Sequence, residues 1–341
     1  MRNIYDLTIK ELEDYFISIN EKKFRAVQVY EALYKRRIKS FDDMTNISKE
    51  VREKLKQVFS FYKIKMLIKQ QGKNVNKYLF ELEDGNKIES VLMFHDYGTS
   101  ICVSSQVGCN MTCAFCESGR LKKVRNLLAY EIVQQILQIE EDINKRITHV
   151  VLMGIGEPFD NYDNVLRFVK IINCGKGIDI GSRHITISTC GVIPGIKKFM
   201  NEEGQVNLAI SLHAPNNTLR SRIMPINKAY PLNELMETIK EYINKTNRRV
   251  TFEYIMLDNV NDSEENAKEL AILLKGINCY VNLIPYNETE NIEFKRTKEW
   301  KIMKFYDILK KNKINVTIRK EFGSNISAAC GQLRSKKEEQ K

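Results

Sequence analysis

The chain has 341 residues, of which 43% are hydrophobic and 28% charged, the profile of an ordinary soluble protein with room for one large domain and a smaller appendage. No apolar run approaches the ~18 residues that would cross a membrane, so a spanning segment is excluded. The 54 Lys and Arg against 43 Asp and Glu leave a net charge of +11; this makes a polyanion such as nucleic acid a candidate partner, although lysines solvated over the surface would give the same sum.

The opening residues Met1-Arg2-Asn3-Ile4-Tyr5-Asp6 lack the charged-then-apolar pattern of a signal peptide. Together with eight cysteines, which persist as thiols only in a reducing compartment, this predicts a cytoplasmic location. Residues 1–72 read as a small helical domain. Ile9, Leu12, Tyr15 and Phe16 recur at helical spacing, as do the apolar residues of Phe24 through Leu33 and Val51 through Phe59, with Ser48 as an N-cap before Lys49. The cationic tract that holds Arg25, Lys35, Arg36, Arg37 and Lys39 reads either as a solvated helix face or as a contact for RNA phosphates.

The hydrophobic period then changes to two. Segments 77–82 and 88–93 flank Glu83-Asp84-Gly85-Asn86, a hairpin signal because Asp-Gly readily supplies positive φ. A third strand over 100–105 runs into a loop of cysteines. Beyond it, strands are expected at 148–153, 184–189, 207–211, 250–256, 280–285 and 314–319. Between them fall helices at 127–141, 162–172, 193–202, 232–244, 263–275 and 297–311. Such alternation predicts an α/β fold: a parallel sheet with right-handed crossovers, carrying its chemistry at the C-terminal strand ends. Six βα units point to an incomplete barrel over residues 73–335, with a β-hairpin extension. The charged residues 336–341 are expected to be disordered.

The cysteine loop is Gly108-Cys109-Asn110-Met111-Thr112-Cys113-Ala114-Phe115-Cys116. Structural zinc closes a four-ligand shell, and no nearby Cys or His completes one here. A redox Cys-x-x-Cys made of Cys113 and Cys116 would leave Cys109 unexplained. Three thiolates aimed at one point fit a four-iron cluster with one iron left open, since such clusters ordinarily take four cysteines. The C-x3-C-x2-C spacing resembles the radical S-adenosylmethionine superfamily, where the amino and carboxylate groups of the cofactor chelate that open iron.

The later strand ends carry short polar segments. Gly154-Ile155-Gly156-Glu157-Pro158 offers glycines for a close approach of backbone to a ligand and a carboxylate for an amino group. Ser188-Thr189-Cys190, Ser211-Leu212-His213 and Tyr286-Asn287 are caps or turn residues taken singly, and a polar pocket taken together. A lone cysteine such as Cys330, in the small-residue stretch Ala328-Ala329-Cys330-Gly331, is by default a buried spectator.

With Phe24-Arg25-Ala26, Ser104-Ser105-Gln106-Val107-Gly108-Cys109, Ser211-Leu212-His213-Ala214-Pro215-Asn216, Met224-Pro225-Ile226-Asn227 and Ala328-Ala329-Cys330-Gly331-Gln332-Leu333 also in view, nearly the whole chain resembles the RlmN family. Members of that family methylate C2 of an adenine in 23S ribosomal RNA; the sister Cfr group methylates C8. The resemblance implies a [4Fe-4S] cluster on Cys109, Cys113 and Cys116. It also implies S-adenosylmethionine held by Gly156, Glu157, Ser188, Ser211, Leu212, His213 and Asn287.

It further implies that Cys330 is methylated and that a deoxyadenosyl radical removes hydrogen from the methyl group. The resulting methylene radical then adds to the base, and Cys102 resolves the covalent adduct as a disulfide with Cys330. Glu89 or Cys102 takes the C2 proton. The implied partners are 23S rRNA, transfer RNA and a flavodoxin-type electron donor, and the implied state is a monomer. Val107, where the C8 group tends to have cysteine, favours C2.

The chain departs from the family pattern at Glu117-Ser118-Gly119, where Ser or Ala, then Thr-Gly, is usual, and at Asn325-Ile326-Ser327 and Asn287-Glu288. The rival readings are a non-catalytic RNA-binding assembly factor and a radical enzyme acting on a small molecule; the basic helical N-terminus and Cys330 disfavour the latter.

Overall fold

The computed structural model describes residues 1–319. The expectations for Cys330 and for the tail 336–341 lie outside the described residues. The chain opens with a two-residue strand β1 (Arg2–Asn3), three helices, α1 (Ile9–Ser18), α2 (Phe24–Tyr34) and α3 (Lys49–Val58), and β2 (Phe59–Ser60), which pairs parallel with β1. Thr8 and Glu11 start α1 through a reciprocal capping box, and Ser48 caps α3 by accepting from the Val51 N–H.

Strands β3 (Lys65–Gln71), β4 (Val75–Glu81), β5 (Lys87–His95) and β6 (Gly98–Cys102) then run antiparallel. The segment expected to be helical to residue 72 therefore stops short, because 65–71 is already in the sheet. Next, β7 (Gln106–Val107), α4 (Glu117–Arg120) and β8 (Arg125–Asn126) frame the cysteine loop, β7 pairing with β8.

The alternating part follows: α5 (Ala129–Ile143), β9 (His149–Leu152), α6 (Tyr162–Ile172), β10 (Ile185–Thr189), α7 (Ile193–Phe199) and β11 (Asn207–Ser211). It continues through α8 (Asn217–Ile223), α9 (Leu232–Thr246), β12 (Val250–Met256), α10 (Glu264–Leu273), β13 (Cys279–Pro285), α11 (Glu299–Lys311) and β14 (Val316–Ile318). Ten strands make one sheet, in the order β14-β13-β12-β11-β10-β9-β6-β5-β4-β3. β6 is the pivot, antiparallel to β5 and parallel to β9. The expected six βα units are present, from β6–α5 to β13–α11, with β14 as a closing parallel strand and β3–β5 as the antiparallel extension.

Register decides what faces the hollow of this sheet, because residues directly opposite one another on paired strands point to the same face. Lys77, Val91, Cys102, Val151, Thr186 and Asn207 form one such row. Stepping by two along the strands adds Glu89, Met153, Ser188 and Ser211, and Ser211 is in turn opposite Glu253, which is opposite Asn282. This face, apolar around Cys102 and polar toward Glu253, lines a cavity of about 510 Å³ whose lining includes Met93, Val151, Met153, Thr186, Glu253 and Asn282.

The other face, with Ile101, Val150, Ile187, Leu208 and Phe252, is mostly apolar and packs under the helices. The same core runs without a break into Ile4, Leu12, Val29, Tyr34 and Leu55, so the N-terminal helices share it. Arg167 Nη1 on α6 reaches both Glu11 oxygens at 2.5 and 2.6 Å, and Tyr78 Oη donates to Asp142 at 2.8 Å.

Candidate active site

The cysteine loop is closed by its own main chain. Cys109 N donates to Leu121 O at 2.9 Å, Cys116 N to Cys113 O at 3.1 Å, and Val124 N to Val107 O at 2.7 Å, while Ala114 N reaches Ile223 O at 2.9 Å. Gly108 has φ +78°, and a Cβ there would sit 2.1 Å from Lys122 O, so only glycine lets the two arms of the loop meet. Phe115, just before the last cysteine, packs edge-on to His213 with ring centroids 4.9 Å apart.

Burial pushes the Cys109 thiol up to about 12, with neighbouring Cys116, Glu157 and Asp160 adding repulsion. Cys113 keeps part of its surface exposed, yet desolvation first, then Cys116 and Cys109, raise it well above its ordinary value. Thiols so placed ionise only against a strong positive charge, such as bound iron would supply. Among the described residues no three Cys, His, Asp or Glu side chains converge closely enough for a single metal ion. The donor set fits a multi-iron cluster held by Cys109, Cys113 and Cys116.

The Gly-x-Gly-Glu-Pro segment also packs against the protein itself. A Cβ on Gly154 would lie 2.6 Å from Val103 O, and one on Gly156, at φ +110°, 2.7 Å from Gln106 Cβ. These glycines bring the β9 exit against the strand that enters the cysteine loop; the close approach is protein to protein. Glu157 is buried and its two oxygens accept from Phe159 N at 2.9 Å and Cys190 N at 2.8 Å. It splints two neighbouring strand exits, and burial raises its pKa despite these bonds. The Cys190 thiol and the Thr189 hydroxyl reach the same carboxylate, so the fold itself occupies most of its acceptor sites.

Ser188 on β10 is buried, Ser211 at the end of β11 is half-buried, and both share the inner face described above. Leu212 N and His213 N both donate to Glu253 O, at 3.1 and 3.3 Å. His213 has φ +59° and is buried; its Nδ1 accepts from Ile255 N at 3.0 Å, which assigns the proton to Nε2. Burial, with Arg220 second, holds its pKa down at about 3, so the ring is neutral. Asn287 lies two residues past β13 and is exposed.

Arg220, on α8, has no surface exposure and no carboxylate among its hydrogen-bond partners. Its guanidinium donates to Leu212 O at 3.2 Å, Cys190 O at 2.6 Å, Ser211 O at 3.3 Å and Asn227 Oδ1 at 2.9 Å. One side chain thus ties together three of the strand-exit carbonyls. The Cys113 and Cys190 thiols are close enough to act on its pKa. Arg220 was not among the residues singled out from the sequence; its only signal there is its position four residues after the N-cap Asn216.

On the antiparallel side, Cys102 is buried beside Val75, Val91 and Met93, with Val151 and Met153 against it. Glu89, two residues before Val91 on the same face, forms a buried ion pair with Lys77, whose Nζ is 3.0 Å from Oε2. Cys102 and Glu89 thus lie on one side of the sheet with Ser188 and Ser211.

The cationic tract of the N-terminal helices is partly consumed within the fold. Lys35 pairs with Glu31 at 3.1 Å, Arg36 bonds Asn46 at 2.9 Å, and Arg37 pairs with Glu140 on α5, docking the helices onto the barrel. No helix among the described residues is long and apolar enough to cross a membrane.

Comparison with known proteins gives a consistent result. Residues 2–61 match the model for the ribosomal RNA large subunit methyltransferase N-terminal domain, and residues 103–271 match the radical SAM superfamily. The chain is 54% identical to the probable dual-specificity RNA methyltransferase RlmN of Spiroplasma citri, over 99% of both chains. It is also 54% identical to the probable dual-specificity RNA methyltransferase RlmN of Enterococcus faecalis, covering 98% of this chain and 96% of that one. The crystal structure of a radical SAM methyltransferase from Sphaerobacter thermophilus superposes with a TM-score of 0.92 at 41% identity, over 97% of this chain and 99% of that one.

Proposed function

We infer the reaction from one premise: this chain belongs to the RlmN family of radical S-adenosylmethionine enzymes. It is an RNA methyltransferase that works with a [4Fe-4S] cluster and S-adenosylmethionine. The finer reading is that it methylates C2 of an adenine in 23S rRNA and in transfer RNA, through a methyl group carried on Cys330. When bound, the cluster and S-adenosylmethionine supply radical chemistry for a carbon that is neither nucleophilic nor usefully acidic.

In this reading Cys109, Cys113 and Cys116 hold the cluster. Glu157, Ser188, Ser211, Leu212, His213, Gly156 and Asn287 hold the cofactor; His213, neutral, donates through Nε2. Glu89 accepts the C2 proton, with Lys77 orienting its carboxylate. The Cys102 thiolate bonds to the Cys330 sulfur; the pair of the broken carbon–sulfur bond passes to the methylene carbon, which takes a proton to become the methyl group as the base leaves. A flavodoxin-type protein supplies the electron, and the enzyme acts as a cytoplasmic monomer.

The observation that carries this reading is the common inner face of Glu89, Cys102, Ser188 and Ser211. A base and a resolving thiol have work to do only where they face the substrate. The test is digestion of 23S and transfer RNA from cells with and without this chain, expecting a methyl group that depends on the chain at adenine C2. A new methyl at C8 would overturn the regiochemistry. Product formed while Cys330 stays unmethylated through turnover would overturn the carrier role.

A further inference from the structure

The turn behind Cys116 carries an acid that the fold leaves unsatisfied. Glu117 and Ser118 open α4 and are buried, with 3% and 2% of their surface exposed. Neither Glu117 oxygen, nor the Ser118 hydroxyl, makes a hydrogen bond. Its nearby cation is Arg120, itself half-exposed, whose Nη1 stays 3.6 Å from Oε2, beyond hydrogen-bonding distance. Buried polar groups are nearly always bonded, and a carboxylate without bonds costs far more than a hydroxyl without them.

A second observation comes from the far side of the same rim. The Tyr286 and Thr289 hydroxyls, on the segment leaving β13, are also buried without a well-formed hydrogen bond. Tyr286 is near enough to Glu117 and Cys116 for both charges to act on it. Beside these groups lies a separate apolar cluster that includes Phe115, Ile255, Leu257, Tyr286, Ile292 and Phe294. An apolar box with acceptors at its margin complements a nucleoside, which offers a flat base to pack and an amine and a diol to donate. A carboxylate is also the group that takes ribose hydroxyls in dinucleotide-binding folds.

We propose that Glu117 accepts hydrogen bonds from the adenosine half of S-adenosylmethionine, making the turn after Cys116 part of the cofactor site. This rests on the reading that the cofactor is held beside Cys109, Cys113 and Cys116. The donors are the ribose hydroxyls or the exocyclic amine of the base, the two kinds adenosine has. Glu117 is a position where this chain departs from the family pattern, so the contact is a feature of this chain.

The test uses the full chain, reconstituted with iron and sulfide without oxygen, as wild type, Glu117→Gln and Glu117→Ala. Iron content and the cluster's visible absorption report loading, and calorimetry reports S-adenosylmethionine binding. With iron content unchanged, both variants are expected to bind about tenfold to a hundredfold more weakly, the range for loss of a charged hydrogen-bond acceptor. Analogues lacking a ribose hydroxyl or the amine identify the donor: the one that Glu117 binds loses affinity for the wild type and loses none further on Glu117→Gln.

Wild-type affinity in both loaded variants overturns the proposal and leaves the cofactor reading intact. Loss of iron from both overturns it as well, since Glu117 would then serve the loop. A loaded wild type that binds no S-adenosylmethionine overturns the reading beneath it.

Discussion

His213 and Arg220 sit in the same buried rim, and burial acts on their charges with unequal success. The imidazole gives up its proton; the guanidinium keeps its charge by donating to four acceptors. For His213 the consequence is measurable. The unfolded chain takes up a proton as pH falls through about 6.5, whereas the folded chain refuses it until about 3. Stability is therefore full above about 6.5 and falls toward acid, with a slope reaching about 1.4 kcal/mol per pH unit. His149, also lowered by burial, adds to the same trend. Urea unfolding of wild type and His213→Asn between about pH 5 and 6.5 separates them, since the variant should lose one proton's worth of slope. Equal slopes would place the His213 ring in water. Arg220 shows why its role was not legible in the sequence: an arginine in a polar seven-residue helix reads as solvated until the carbonyls it binds are brought together in space.

At the level of elements, legibility followed hydrophobic pattern. Strands at Asn207–Ser211 and Val250–Met256 and the helix Tyr162–Ile172 lie where their periods predicted. β3 escaped because Lys65-Met66-Leu67-Ile68-Lys69-Gln70-Gln71 never alternates: three middle residues in a row are half-buried, and the register slips between Met66 and Ile68. The Gly-Glu segment was found by motif, but the packing of its glycines against Val103 and Gln106 was not, since a requirement for close approach does not say what approaches. The cysteine loop owes its shape to Gly108. Gly108→Ala forces a side chain into left-handed backbone, at about 1–2 kcal/mol, and into Lys122 O besides. We expect the variant to keep its far-UV circular dichroism and to lose most of its capacity to take up iron. Full reconstitution would mean that the loop closes by another route.

At the scale of the molecule, the helical residues and the barrel form one body of packed side chains. A Cβ on Gly177, after α6, would come within 2.8 Å of the Tyr30 ring, and Tyr34 Oη donates to Tyr5 O at 3.1 Å inside the same core. A chain starting at residue 62 should therefore expose the apolar surface that α1–α3 cover. It should bind a hydrophobic dye and melt without a cooperative transition; a sharp melt and no dye binding would establish an independent barrel.

Among the described residues the sheet does not close, so each flank is a ladder with open rungs. On one flank β3 brings Lys65 and Lys69 and its slipped register; on the other β14 is three residues long. A neighbouring copy seeking to extend the ladder meets cations and a kink on one side and too few rungs on the other. Crowded inside a cell, such a molecule resists lateral fibre growth through the shape of its borders, whatever its core contributes.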